Sequence, residues 1–155
     1  MSPEEYTPAK IFTVEEANAR LPLVRAIVGD LIKLATELSD RRERLDQLSR
    51  SRTGESSEVY QAEVEQVELE LEKDSERLSE YLRELLELGV EPKSAMAGLV
   101  DFPAMIDGKL AYLCWKYDEP EVLYWHDLEA GFAGRQSLTA DSVASPDHSD
   151  GLFDA

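Results

Sequence analysis

The sequence predicts an α+β fold: a long antiparallel helical hairpin, coiled-coil-like, followed by a small three-stranded antiparallel β-meander. Three observations carry this expectation. Two long segments place apolar residues at alternating three- and four-residue steps, which is coiled-coil seam spacing. A loop-forming stretch around Gly54 separates them. After Leu88 the helical spacing stops, and aromatic and aliphatic runs alternate with Asp-Gly and Glu-Pro turn signals.

The first helix has a readable start. Thr13 and Glu16 form a capping-box pattern, in which each side chain satisfies a free backbone N–H of the first turn. Pro22 removes a hydrogen bond and crowds the preceding turn, so a short helix over 14–20 is expected, then a break, then a helix over 22–52. A single helix kinked at Pro22 is the alternative. The first seam is Leu21, Val24, Val28, Leu31, Ala35, Leu38, Arg42, Leu45 and Ser49. The second, on a helix over 56–88, is Tyr60, Val64, Val67, Leu71, Asp74, Leu78, Tyr81, Leu85 and Leu88. Folding back at Gly54 brings seam positions into one register, with residue numbers summing to 109, so that Leu31 faces Leu78. Asp74 falls opposite Ala35, as a hydrated register-setting residue, a partner for Lys33 or a ligand. Arg42 can run its stem along the seam and keep its head in water. Extra apolar residues (Leu23, Ile27, Ile32, Leu34, Leu69, Leu82, Leu86) crowd toward the end far from the loop and call for a cover from the C-terminal part or a second subunit.

Gly89 is a helix C-cap candidate, and Pro92 prevents continuation. Strands are expected over 99–104, with Pro103 at an edge or end, 109–117 and 121–127. Asp107-Gly108 is a two-residue hairpin signal. The turn at Asp118-Glu119-Pro120 pairs Cys114 with Tyr124 and Tyr112 with His126 on one face. Leu113, Trp115, Tyr117, Leu123 and Trp125 take the other. Neither face is plainly polar, so one should pack on the helices and the other should meet a ligand, the tail or another copy of the chain. The segments are therefore an extension over 1–10, a single domain over 11–138 and an acidic tail over 139–155 expected to be disordered.

Charge narrows the function. With 16 Lys and Arg against 33 Asp and Glu, the net charge is −17, which excludes a general nucleic-acid backbone binder. It also disfavours anionic lipid, and no apolar run reaches the roughly 20 residues that span a bilayer. The N-terminus lacks a secretion-signal pattern, and the single Cys114 cannot form an internal disulfide, so a cytoplasmic setting is expected. Residues 55–91 carry 13 acidic groups against Lys73, Arg77 and Arg83, a solvated face or a docking surface for a basic protein partner.

Chemistry-bearing residues cluster late in the chain. His126 with Asp101 and Glu129, and with Cys114 near by, supplies metal-ligand types suited to zinc, manganese or iron, although His148 is too remote to serve as a second imidazole. A strand histidine hydrogen-bonded to a carboxylate or carbonyl is the plainer alternative. Gly131 and Gly134 flank a turn before Arg135, whose guanidinium can take a carboxylate or phosphate or simply pair with an acid. Cys114 as a nucleophile would need His126 as its base, whereas a mid-strand free cysteine behaves as a small hydrophobe.

Gly98–Ala104 (GLVDFPA), Leu113-Cys114-Trp115, Tyr124–Arg135 (YWHDLEAGFAGR) and the opening Phe12–Asn18 carry a resemblance. On these motifs, over about residues 11–138, the chain resembles a family of small bacterial proteins known as domain of unknown function 2203. The resemblance implies a compact fold, brings no activity or catalytic residues, and directs attention to Asp101, Trp115, Trp125, His126, Glu129 and Arg135 as ligand-binding candidates. The leading expectation is a non-enzymatic, homo-oligomeric interaction or scaffold protein that requires no cofactor. The alternative is a small-ligand or metal-binding protein, possible catalysis included, with its site between the meander and the Gly-rich loop.

Overall fold

The computed structural model describes residues 6–50 and 58–138. The turn expected at Gly54, the acidic tail over 139–155 with its His148, and residues 1–5 lie outside them. The order of elements is α1 (Val14–Arg50), α2 (Glu58–Glu87), β1 (Glu91–Ser94), β2 (Leu99–Ile106), β3 (Lys109–Lys116), β4 (Tyr124–Asp127), a 3-10 turn (Phe132–Gly134) and β5 (Gln136–Ser137).

The capping box forms: the Thr13 N–H donates to Glu16 Oε1 and the Glu16 N–H to Thr13 Oγ1, both at 3.0 Å. The expected break at Pro22 does not occur. α1 is one helix of 37 residues, about 55 Å at 1.5 Å per residue, with Pro22 inside it. The cost of an interior proline, about 3 kcal/mol, is offset by packing on both sides of it. Ala17 and Leu21 before it, and Val24, Ile27 and Val28 after it, are all buried on one core, while Pro22 itself faces solvent.

The two helices pack against each other, and their cross-helix ion pairs run in opposite directions along the chain. Arg41 bonds Glu70 (3.2 Å) and Asp74, and Arg44 bonds Glu63. Leu31 is buried in the core against which Leu78 packs. Asp74 is thus paired, with Arg41 rather than Lys33 as its main partner and Arg77 at 3.8 Å. Arg41 lies about 1.7 turns beyond Ala35 along α1, and its long side chain spans the offset to Asp74. Of the extra apolar residues, Ile27 and Leu34 are buried and Ile32 and Leu82 pack on the core, whereas Leu23, Leu69 and Leu86 remain exposed.

Gly89 ends α2 as expected. At φ 87° it lets its own N–H donate to the Leu86 carbonyl (3.0 Å) and the Val90 N–H to the Leu85 carbonyl (3.0 Å). This is a Schellman closure, sealed by the fully buried Val90 and Leu85. It turns the chain directly into β1, so the sheet has five strands in the order β1-β2-β3-β4-β5, all antiparallel, rather than the three expected. β1 (Glu-Pro-Lys-Ser) and β5 (two residues) lack strand-forming side chains. They are edge strands held by their neighbours' hydrogen-bonding edges, which local propensity cannot register.

The Asp107-Gly108 hairpin forms with both residues at positive φ (54° and 78°), as a type I′ turn demands. It pairs Ile106 with Lys109 and therefore Asp101 with Cys114. The expected β3–β4 register also holds, Cys114 with Tyr124 and Tyr112 with His126. Pro103 lies inside β2, not at its end. β1 pairs only as far as Asp101, and the Pro103 carbonyl on that side instead accepts the Phe12 N–H at 2.7 Å. The missing proline N–H therefore falls where no strand needs it.

Val100, Phe102, Ala104, Ile106, Ala111, Leu113, Trp115 and Trp125 face the helices and join their core. At the start of β2 the approach is closest. Gly98, at φ 68°, leaves room for Ile32 and Tyr117, and a Cβ there would sit 2.7 Å from Ile32 Cδ1 and 2.8 Å from Tyr117 Cβ. No described helix is long and apolar enough to cross a membrane.

Two outcomes are expected from this packing. Gly98→Ala should destabilise by about 2 kcal/mol through combined strain and overpacking, read as a lower urea midpoint without a changed slope. Thr13→Ala should cost about 1 kcal/mol, a fall in Tm of roughly 2–4 °C at this chain length.

Candidate functional site

The second face of the sheet carries the polar residues. Strand alternation puts Asp101 (β2), Tyr112 and Cys114 (β3) and Tyr124 and His126 (β4) on the side away from the helices. This face was expected to meet a ligand, the tail or another copy of the chain, and Asp101, Tyr112, Cys114 and His126 are all buried within it. Tyr6, before α1, lies against the Tyr112 ring at 5.9 Å. At the other end Arg135 stacks over Tyr124 at 4.0 Å. Two contacts from α1 hold the β3–β4 connection in place: Asn18 Oδ1 accepts the Val122 N–H at 2.8 Å, and Arg25 donates to the carbonyls of Tyr117, Glu119 and Pro120.

At the centre, the His126 ring spans two oxygens. Nδ1 lies 2.7 Å from the Asp127 carbonyl and Nε2 lies 3.1 Å from Asp101 Oδ2. A carbonyl only accepts, so Nδ1 carries a hydrogen. Nε2 of the neutral ring would then present a lone pair to a carboxylate lone pair. A positive centre, proton or metal, must lie between them. Asp101 Oδ1 is buried with no hydrogen-bond partner among the described residues. Burial pushes the Asp101 carboxyl up from its ordinary range, against the opposing pull of His126 and Lys93. Beside it the Cys114 thiol is pushed up to about 12, by burial first and then by the Asp101 charge. The ligand atoms of Asp101, Cys114 and His126 lie within 4.8 Å of one another.

β1 adds a flank. Lys93 Nζ sits 3.8 Å from Asp101 Oδ2, 3.3 Å from Glu91 Oε1 and 4.4 Å above the Tyr112 ring. Glu91 accepts the Tyr112 hydroxyl (2.7 Å) and the Tyr6 hydroxyl. Burial alone would raise its carboxyl, but these phenols and Lys93 hold it below the usual range. A cleft of about 380 Å³ opens along Glu91 and Lys93, lined also by Tyr6, Pro8 and Leu86.

The six residues singled out from sequence do not form one site. Asp101 and His126 meet. Trp115 and Trp125 lie on the helix-facing side: Trp115 is fully buried with Nε1 donating to the Glu119 carbonyl, and Trp125 packs on the core. Glu129 is exposed beyond β4 and is not among the clustered ligand atoms, so its place beside Asp101 and His126 is taken by Cys114. Strand alternation is the reason, because Cys114 faces Asp101 across one ladder step. Arg135 shares the polar face but is committed to Glu119 (2.7 and 2.8 Å). Glu91, Lys93 and Tyr6 were not foreseen, whereas Tyr112 was placed beside His126 by the expected register. The Asp107-Gly108 turn, carried through its register, already implies the Asp101–Cys114 pair; nothing in the local sequence marks β1.

No curated protein and no solved structure matches the chain. Residues 10–138 match the family model described as "Uncharacterized conserved protein (DUF2203)", and the chain belongs to that family.

Proposed function

We propose that this is a small-ligand or metal-binding protein whose site is the polar network on the outer face of the sheet, centred on Asp101 and His126 and flanked by Lys93 and Glu91. One observation carries it. A carboxylate and an imidazole, each with 3% of the side chain exposed, are buried on a face that the apolar core does not use. Desolvating such a pair costs several kcal/mol per ion, and replacing both members by well-packed apolar residues is often neutral or stabilising. A buried, perturbed carboxylate with a specific charged partner is a functional-site candidate on physical grounds. The cleft along Glu91 and Lys93 lies on the flank of this network, where Lys93 also reaches Asp101 at 3.8 Å. The helical hairpin, which we read as coiled-coil-like, serves as the support on which the sheet rests. The one cysteine, buried as a free thiol, favours a cytoplasmic setting.

An oligomeric scaffold has less behind it, because the sheet face that called for a second copy is covered by Tyr6, Arg135 and their neighbours.

Asp101→Asn tests the proposal. An amide can accept or donate at His126 without a charge, so in the presence of a chelator the variant should melt about 2–4 °C above the parent, roughly 1 kcal/mol. The sign follows from the raised Asp101 carboxyl. Below about pH 4, the ordinary carboxylate range, both folded and unfolded chains hold the proton and the burial penalty is absent. It develops as pH climbs from the ordinary carboxylate range through the raised folded value, so the advantage of the variant should be small near pH 4 and larger near pH 7. A variant that melts below the parent at both pH values would make the pair structural.

A further inference from the structure

The Arg135–Glu119 pair closes on itself through both terminal nitrogens and leaves only Arg135 Nε without a hydrogen-bond partner among the described residues, and among those residues the acidic face of α2 has nothing beside it that points to a ligand. The exposed Leu23, Leu69 and Leu86 have nothing to show what covers them. The three groups at the centre of the outer face go further.

Three independent facts converge there. The Asp127 carbonyl fixes His126 with a hydrogen on Nδ1, which leaves Nε2, 3.1 Å from Asp101 Oδ2, to share a proton or a metal ion with that carboxylate. A backbone carbonyl on the far nitrogen is the support that metal-ligating histidines ordinarily have. Second, Asp101 Oδ1 is buried with no hydrogen-bond partner among the described residues, on a side chain only 3% exposed. Third, Cys114, fully buried, completes a sulfur–nitrogen–oxygen set whose ligand atoms lie within 4.8 Å of each other.

We propose that Asp101, Cys114 and His126 are the three protein ligands of a divalent transition metal of the zinc type, an inference that rests on the outer face being the functional one. The donor set excludes magnesium and calcium, which take oxygen, and suits zinc, cobalt(II) or iron(II). Charge agrees. Glu91, Asp101 and a Cys114 thiolate carry three negative charges against one positive on Lys93, leaving two for the ion to cancel. Three protein ligands leave a fourth position for water or a ligand atom, the pattern of reactive rather than purely structural zinc. Lys93 and Glu91, shared between this centre and the cleft, are the groups beside which such a ligand enters. On binding, the Cys114 S–H bond breaks, its proton passes to solvent and a sulfur–metal bond forms.

The single cysteine makes the experiment specific. Full-length untagged protein, stripped with chelator, is titrated with cobalt(II), and separately loaded with zinc for elemental analysis. The expected result is one metal per chain, with a sulfur-to-cobalt charge-transfer band in the near ultraviolet. Cys114→Ser should lose that band while keeping its circular dichroism, and Asp101→Asn should bind at least tenfold more weakly. Should the serine variant not fold, Asp101→Asn carries the comparison alone. Cobalt bound without the band, as the many surface carboxylates would bind it, overturns the proposal, as does the absence of binding at micromolar metal. Asp101→Asn more stable in chelator with no band would remove the metal and leave the functional face standing. A band together with a destabilised Asp101→Asn would keep the metal and assign it a structural role.

Discussion

The register of the β2–β3 hairpin is the constraint on which the rest of the molecule depends. Side chains alternate along a strand, so one residue of slip would exchange the two faces of the sheet. With Asp107 and Gly108 in the turn, Ile106 meets Lys109 and the whole ladder follows. Val100, Phe102, Leu113 and Trp115 then point at the helices, and Asp101 and Cys114 point away together. The slipped pairing would turn a carboxylate into the apolar core and strand the tryptophan outside. The same two turn residues therefore secure the core and assemble the polar centre.

That centre lies apart from the apolar core. The core is continuous from Phe12 through α1 and Leu85 to Val122, and none of its members lies on the outer face. Against it, the Asp101–His126 pair leaves one carboxylate oxygen without a partner and faces two lone pairs toward each other unless a cation intervenes. Glu91 is satisfied by two phenols and an ammonium, so the flank is settled where the centre is not. An unsettled group beside settled ones is the arrangement expected where a protein holds something in place.

The helices do two separate jobs. Near the sheet, α1 contributes a wide buried stripe from Ala17 to Leu38 and anchors the β3–β4 connection through Asn18 and Arg25. Toward Arg50, arm-to-arm contact relies on ion pairs such as Arg41–Asp74 and Arg44–Glu63, worth about 1 kcal/mol or less each where exposed. Stability is thus graded along the hairpin, greatest where it carries the sheet.

Local chemistry alone determined the helical arms, the Thr13–Glu16 cap, the Gly89 stop, the Asp107-Gly108 turn and the β3–β4 register, since each depends on residues adjacent or at a fixed spacing. It also brought Asp101 and His126 forward. Tertiary structure decided what local patterns cannot encode. Pro22 stays helical because the core grips both sides of it, and Glu91–Ser94 becomes a strand because β2 offers an open edge. Trp115 and Trp125 go to the core, and Cys114 rather than Glu129 stands beside Asp101 and His126. In each case the deciding partner is distant in the chain, and burial against it outweighs the preference of the segment itself.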